Sequence, residues 1–254
     1  MNNSARILMT GAGGLGIAIL LFRGIFSLPG FGKYPGPYGD VINTIAPFER
    51  QITNVVTAVN FDYRALDTLG EESILFGAVS GIVLLLRSKR GESPDSPAQP
   101  PADHRPVEAR SDAISWVSLV LIAVTNLFGI YMVIHGTLTP GGGFQGGAIL
   151  GTASMLVYIA GGYRAYRKST TKELTEVVEA IAAGSYSLIG IGSMLAGQAF
   201  LANVLPLGSR DTVLSGGDIP VINYAVGLEV AAGFALLFSE FLEETRALKP
   251  ENRS

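Results

Sequence analysis

Six stretches of this 254-residue chain are apolar enough to lie in a bilayer, and they constrain its fold more than any other feature. A hydrocarbon core about 30 Å thick takes roughly 20 residues of helix, and within it every backbone polar group must find an internal partner. The first run is Ile7 to Phe26, and the second is Ser73 to Leu86, extended back through Glu72, Glu71 and Leu69. The others are Ala113 to His135, Gly147 to Gly162, Leu174 to Leu201, and Pro220 to Leu242. Charged residues make up 15% of the chain, against about 25% in a typical soluble domain, and glycine accounts for 32 positions. Low charge with many small residues suits closely packed transmembrane helices. The expected fold class is all-α: a polytopic membrane protein of about six transmembrane helices, two followed by four.

Lysine and arginine placement orients these spans. Arg87, Lys89, Arg90, Arg105 and Arg110 follow the second span, Arg164, Arg167, Lys168 and Lys172 follow the fourth, and Arg246, Lys249 and Arg253 lie in the tail. The loop after the third span has no charge, and the loop after the fifth has only Arg210. One alternating topology fits this pattern, with both termini cytoplasmic. The segment Ser27 to Thr68, with Pro29, Pro35, Pro37 and Pro47, then faces outward as short surface helices or loops. Residues 88–111 hold five prolines and no apolar periodicity, which predicts a disordered cytoplasmic linker. It separates a two-span module, 1–87, from a four-span module, 112–254. The first run is too long for a signal peptide, and no small-residue cleavage site follows it.

Several functions are excluded. The chain has no cysteine, so disulfides, thiol catalysis and Cys-ligated metals drop out, and His104 and His135 alone do not make a His-rich metal site. A net charge of −3 argues against nucleic acid. Gly11, Gly13 and Gly16 match the dinucleotide-binding G-x-G-x-x-G, but no βαβ unit follows and the glycines lie inside an apolar span. They are read as helix-packing positions.

The most distinctive stretch is HGTLTPGGGFQGGAILG, His135 to Gly151. Pro140 and Gly141, Gly142 and Gly143 do not continue a helix comfortably, and Phe144, Gln145, Gly146 and Gly147 follow. There is no lysine to make a Walker-type phosphate loop. One reading is a tight turn into a helix whose G-xxx-G pairs, Gly143/Gly147 and Gly147/Gly151, pack on a neighbour. The other is non-helical backbone lining a polar cavity at the membrane edge. On the residues alone the first is preferred.

An ionisable residue inside a span costs roughly 2.5–3.5 kcal/mol on insertion scales, so each is a functional candidate. Glu229 lies nine residues after Pro220, about 13.5 Å along the helix and near mid-membrane. It could cycle between a neutral form and an ionised form paired with a cation, as a relay requires. Glu240 lies eleven residues further on nearly the same face, where it is expected to snorkel toward water. Asn126 sits at a depth similar to Glu229 and is read as a hydrogen-bond donor to another helix. His135 closes the third span and suits either proton handling or fixing the turn. Adjacent Glu71 and Glu72 point about 100° apart, whereas Arg64, Asp67 and Glu71 form a stripe one turn apart. Glu176 and Glu179 are read as structural acids near a helix N-terminus.

The loop HG-xxx-PGGGFQGG resembles that of the MnhB-like family, one of the membrane components of Mrp-type multi-subunit sodium/proton antiporters. Ile219 to Leu242 is similar to the last span of that family. The resemblance covers Trp116 to Leu242. Separately, Thr53 to Phe76 resembles the C-terminal region of the large subunit of these antiporters. That region also occurs as a small, separate component of membrane-bound hydrogenases. The matching core is Phe61, Arg64, Asp67, Thr68, Leu69, Gly70 and Glu71, with Ala65 where that family usually has glycine. The resemblance implies an integral subunit of a prokaryotic cell-membrane cation/proton antiporter, not an enzyme. It would line or brace an ion pathway among larger membrane subunits, with Na+ and H+ as transported ions, no cofactor, and Na+ only in transit. Glu229, Glu71, Asp67, Asn126, His135 and Glu240 are the ion-pathway candidates. The fusion of the two modules keeps a second host open, a redox-driven, hydrogenase-like complex.

Overall fold

The computed structural model describes residues 3–28, 36–89 and 111–248. The elements are α1 (Asn3–Phe26), α2 (Tyr38–Glu49), α3 (Val55–Ala58), a π-helical turn (Val59–Tyr63), α4 (Ala65–Lys89), α5 (Asp112–Ile134), a 3-10 turn (His135–Thr137), α6 (Gly143–Ser169), α7 (Lys172–Leu195) and α8 (Ile219–Leu248). No strand occurs among the described residues. α4 to α8 are each long and apolar enough to cross a membrane, and α1 contributes a shorter apolar stretch, Gly11–Phe26. The all-α polytopic fold stands.

The chain forms two compact units, Met1–Thr44 and Ile45–Ser254. In the first, α1 exposes Leu15, Leu20, Phe22 and Phe26, with the Phe22 and Phe26 rings stacked at 6.2 Å. The second is a bundle around α8. More than half of the apolar window of α8 is buried, 56%, against 28% or less in the other spans, so α8 is the helix the others pack on. α6 lies between α5 and α8, while α4 and α7 cover other sides of α8.

Glycine sets the α6 contacts. A β-carbon on Gly143 would strike the Asn223 and Gly227 backbone, one on Gly147 the Gly227 carbonyl and Val230, and one on Gly151 Phe234. Those three face α8 every fourth residue, while Gly146 faces Gly129 and Val133 of α5. The helix therefore approaches both neighbours at backbone distance. Buried Asn223 fixes the register: its Oδ1 accepts from Gly143 N at 2.6 Å and its Nδ2 donates to the Val133 carbonyl at 2.7 Å.

Some boundaries differ from the apolar runs. α4 begins at Ala65, two turns before the apolar stretch, because one face of its first turns is buried at Ala65, Thr68 and Glu72. α6 continues to Ser169 across a break at Gly162 (φ 79°, ψ −174°). α7 stops at Leu195, and the chain turns through left-handed Gly197 and Leu201 into a loop that runs to Asp218. α4 carries helix to Lys89, into the start of the expected linker. Residues 90–110 of that linker and the tail beyond residue 248 lie outside the described residues.

Candidate ion-pathway site

Three buried carboxylates from three helices meet along α8. Glu229 is 1% exposed, Glu72 of α4 3%, and Glu179 of α7 5%. The Glu72 and Glu229 carboxyl groups are within hydrogen-bonding reach of each other, and Glu179 is close enough to act electrostatically on Glu229. Both oxygens of Glu229, Oε2 of Glu72 and Oε1 of Glu179 are buried with no hydrogen-bond donor. A hydrogen bond between two carboxyl groups requires a proton on one of them, and an ionised pair requires a cation between them. Ten residues of helix separate Ile219 from Glu229, about 15 Å, so this meeting point is mid-span. Glu179 lies one turn beyond it, opposite Gly233, whose missing β-carbon would stand 3.5 Å from Glu179 Oε1.

Glu72 also forms the floor of a cavity of about 220 Å³. Thr57, Asn60, Thr68, Glu71 and Gln145 supply its other polar walls, and Gly141, Gly142 and Phe144 complete the side formed by the loop. The glycine loop therefore serves both roles considered for it. Gly143, Gly146 and Gly147 pack, while the residues just before and between them line a polar space. Gly142 holds φ 153° with ψ −178°, a backbone that side-chain-bearing residues rarely adopt. Pro140 lies on the exposed approach to this turn.

The loop beside the cavity is tied down by hydrogen bonds from Asn54 and Thr57. Asn54 Nδ2 donates to the carbonyls of Gly136 (2.8 Å) and Thr139 (2.9 Å), and Thr57 Oγ1 donates to Gly136 at 2.5 Å. Beside Asn60 and Phe61, Asp62 pairs with Arg50 at 2.6 Å and accepts from Asn203 at 3.2 Å. Burial nonetheless raises the Asp62 carboxyl above its ordinary 3.8, outweighing the hydrogen bond from Asn203 and the attraction of Arg50. Burial and its hydrogen bond to Glu49 push Tyr63 up to about 12.

The residues singled out from sequence divide. Glu229 is at the centre and Glu71 stands exposed at the cavity mouth. Asp67 is exposed and pairs with Arg64, as the stripe predicts, but it does not reach the cavity. Asn126 donates to Ile122 of its own helix at 2.9 Å, not to another helix. His135 caps α5, its ring 4.2 Å from that of Tyr131, and it lies outside the cavity lining with Nδ1 buried and unbonded. Glu240 does not snorkel: it is fully buried and holds Lys172 Nζ at 2.6 Å. Glu179 is more than a helix-terminal acid, since α7 starts at Lys172 and places it two turns in. Glu72 and Glu179 are the two residues sequence reasoning missed. The signal available was their place in apolar runs, where any carboxylate merits the attention given to Glu229. Among the described residues no group of His, Asp and Glu is arranged to hold a metal.

Residues 113–236 match the family described as a domain related to the MnhB subunit of a Na+/H+ antiporter. The chain therefore carries an MnhB-related domain. Its relatives include an uncharacterised protein of Methanocaldococcus jannaschii, 34% identical over 203 residues that cover 72% of this chain and 75% of that one. A probable K+/H+ antiporter subunit of Rhizobium meliloti is 30% identical over 126 residues, 44% of this chain and 13% of that one. Among solved structures, a chain of the membrane-bound sulfane sulfur reductase, an archaeal respiratory membrane complex, is 29% identical with a TM-score of 0.67. That match covers 94% of this chain and 98% of that one. A chain of the Mrp complex from Dietzia sp. DQ12-45-1b shares the fold, with a TM-score of 0.68 at 21% identity, over 100% of this chain and 27% of that one. Both solved neighbours are chains of multi-subunit membrane complexes, and this chain, with five helices long and apolar enough to cross a membrane, is an integral membrane protein.

Proposed function

We propose that this MnhB-related chain is the ion-pathway subunit of a multi-subunit monovalent cation/proton antiporter, with no enzymatic activity of its own. The observation that carries the reading is the Glu72–Glu229–Glu179 row: buried mid-span carboxylates without donors, reached from a polar cavity. A cation or proton arriving in the cavity meets Glu71 and Gln145, then Glu72, and passes to Glu229 by exchanging a proton or sodium ion between facing carboxyl groups. Carboxylates bind either ion, so one row serves both. The basic segments favour both termini on the cytoplasmic side, which makes the cavity the outward mouth. The boundaries 1–87, 88–111 and 112–254 mark two ancestral modules and their joint.

The test is Glu229→Gln in the assembled complex, with sodium/proton exchange followed in inverted vesicles. The expected result is loss of exchange by at least about a hundredfold with normal subunit content, as for removal of a proton-transfer group. Exchange at the wild-type rate would remove Glu229 from the pathway. A second host, a redox-driven respiratory complex, is favoured by one observation: the near end-to-end match to a chain of such a complex. Identification of the chains that co-purify separates the two, because iron–sulfur subunits belong to the second host alone.

A further inference from the structure

The carboxylate row, as described, stops short of the far end of the bundle. Glu179 stands opposite Gly233, and Glu240 is seven residues further along α8, about 10.5 Å away. Between α4 and α8 that interval is dry: Val79, Val83 and Leu236 form a buried apolar cluster flanked by Leu75 and Leu237. An ion has no partner on that path.

The α7 side is different. Lys172, Glu176 and Glu179 are spaced four and three residues apart, so they stand on one face of α7, about one turn from each other. Glu176 is half-buried and its charge acts on Glu179. Lys172 is 12% exposed at its side chain, and its ammonium sits 2.6 Å from fully buried Glu240 and 3.4 Å from Glu243, which Arg167 approaches at 3.5 Å. A buried ammonium–carboxylate pair costs desolvation that well-packed apolar residues would avoid. Glu179 Oε1 is buried and unpartnered at the inner end of the same face.

We propose that Glu176 and Lys172 carry the pathway from Glu179 to the far mouth of the bundle, along α7 and around the Val79–Val83–Leu236 plug. The inference rests on the ion-pathway reading of the row. Glu176 takes up the proton or cation released by Glu179. Lys172, held by Glu240, is the exit switch: its ammonium neutralises whichever of Glu176 and Glu240 is ionised, and transfer toward the surface moves it from one to the other.

The experiment uses the whole complex reconstituted in proteoliposomes, with exchange rates measured across pH. Glu176→Gln is expected to slow exchange at least about tenfold, with Glu176→Asp recovering most of the loss, since a carboxyl group and not its length is what the step needs. Lys172→Met is expected to slow exchange and shift its pH profile, and Lys172→Arg to retain a charge-dependent profile. Unchanged rates and pH profiles in Glu176→Gln and Lys172→Met, with Glu229→Gln inactive, would overturn this route and leave the row standing. If Glu229→Gln is itself fully active, the ion-pathway reading fails and the route with it. Loss of exchange in Val83→Phe with Glu176→Gln unaffected would place the passage between α4 and α8 and would also overturn the proposal.

Discussion

α4 and α6 are both glycine-bearing spans, yet they use the residue in opposite ways. On α6, Gly143, Gly146, Gly147 and Gly151 are each filled by a neighbour of the same chain. On α4, Gly70, Gly77 and Gly81 lie seven and four residues apart on one face, and a β-carbon there would meet nothing within 4 Å. What α4 presses against α8 is its other face, Glu72, Val79 and Val83. A glycine pattern thus marks close packing only where a partner backbone occupies the gap. The helix with the more conspicuous pattern packs tightly on two neighbours, and the less conspicuous one brings a buried carboxylate, Glu72, against α8.

The largest effect should come from closing the α6 gap. Gly147→Leu drives a side chain into the Gly227 carbonyl and Val230, and the expected outcome is loss of the folded chain, more than about 3 kcal/mol, seen as absent monomer after detergent extraction. Normal yield and melting temperature would show that α6 can stand off from α8. Next come the adjacent acids of α4, which split by face. Glu72→Gln is expected to slow exchange by roughly a hundredfold, while Glu71→Gln at the open mouth costs less than about tenfold. Equal losses would erase the distinction between the two faces. Gly77→Leu, on the open face, should leave the isolated chain as stable as before or slightly better, by less than about 1 kcal/mol, because leucine favours helix and meets no obstacle. A large loss of stability in thermal unfolding would mean that face is occupied after all.

The smallest effect concerns pH. Burial lifts Asp62 above 3.8, so the folded chain holds that proton more tightly than the unfolded one. Its contribution is full below the unfolded value and is lost as pH rises from 3.8 through the folded value. Asp62→Asn should therefore flatten the decline of thermal stability over that window. An unchanged slope would assign the decline to other groups.

Much of this fold can be read from the chain because hydrocarbon leaves a helix few alternatives: six apolar runs became five full spans and one shorter apolar helix. Glu229 could be picked out because nine residues of unbroken helix fix its depth. Glu72 and Glu179 also stand in apolar runs, but their burial depends on which face another helix covers, and a single helix does not reveal that. Adjacent Glu71 and Glu72 look alike until α8 settles on one of them. Glu240 looked solvated because its partner, Lys172, is 68 residues away in sequence, on a different helix. Asn126 shows the converse: a mid-span amide donates one turn back along its own helix, to Ile122, and not to a neighbour.

The bonds from Asn54 and Thr57 to the carbonyls of Gly136 and Thr139 have one more consequence. They join residues 54–57 to residues 136–139 without using the covalent connection through 90–110. A nick anywhere in 90–110 would leave two polypeptides that stay together through extraction and migrate as one particle until denatured. Whether such a protein is encoded as one reading frame or two is then a matter of indifference to its architecture.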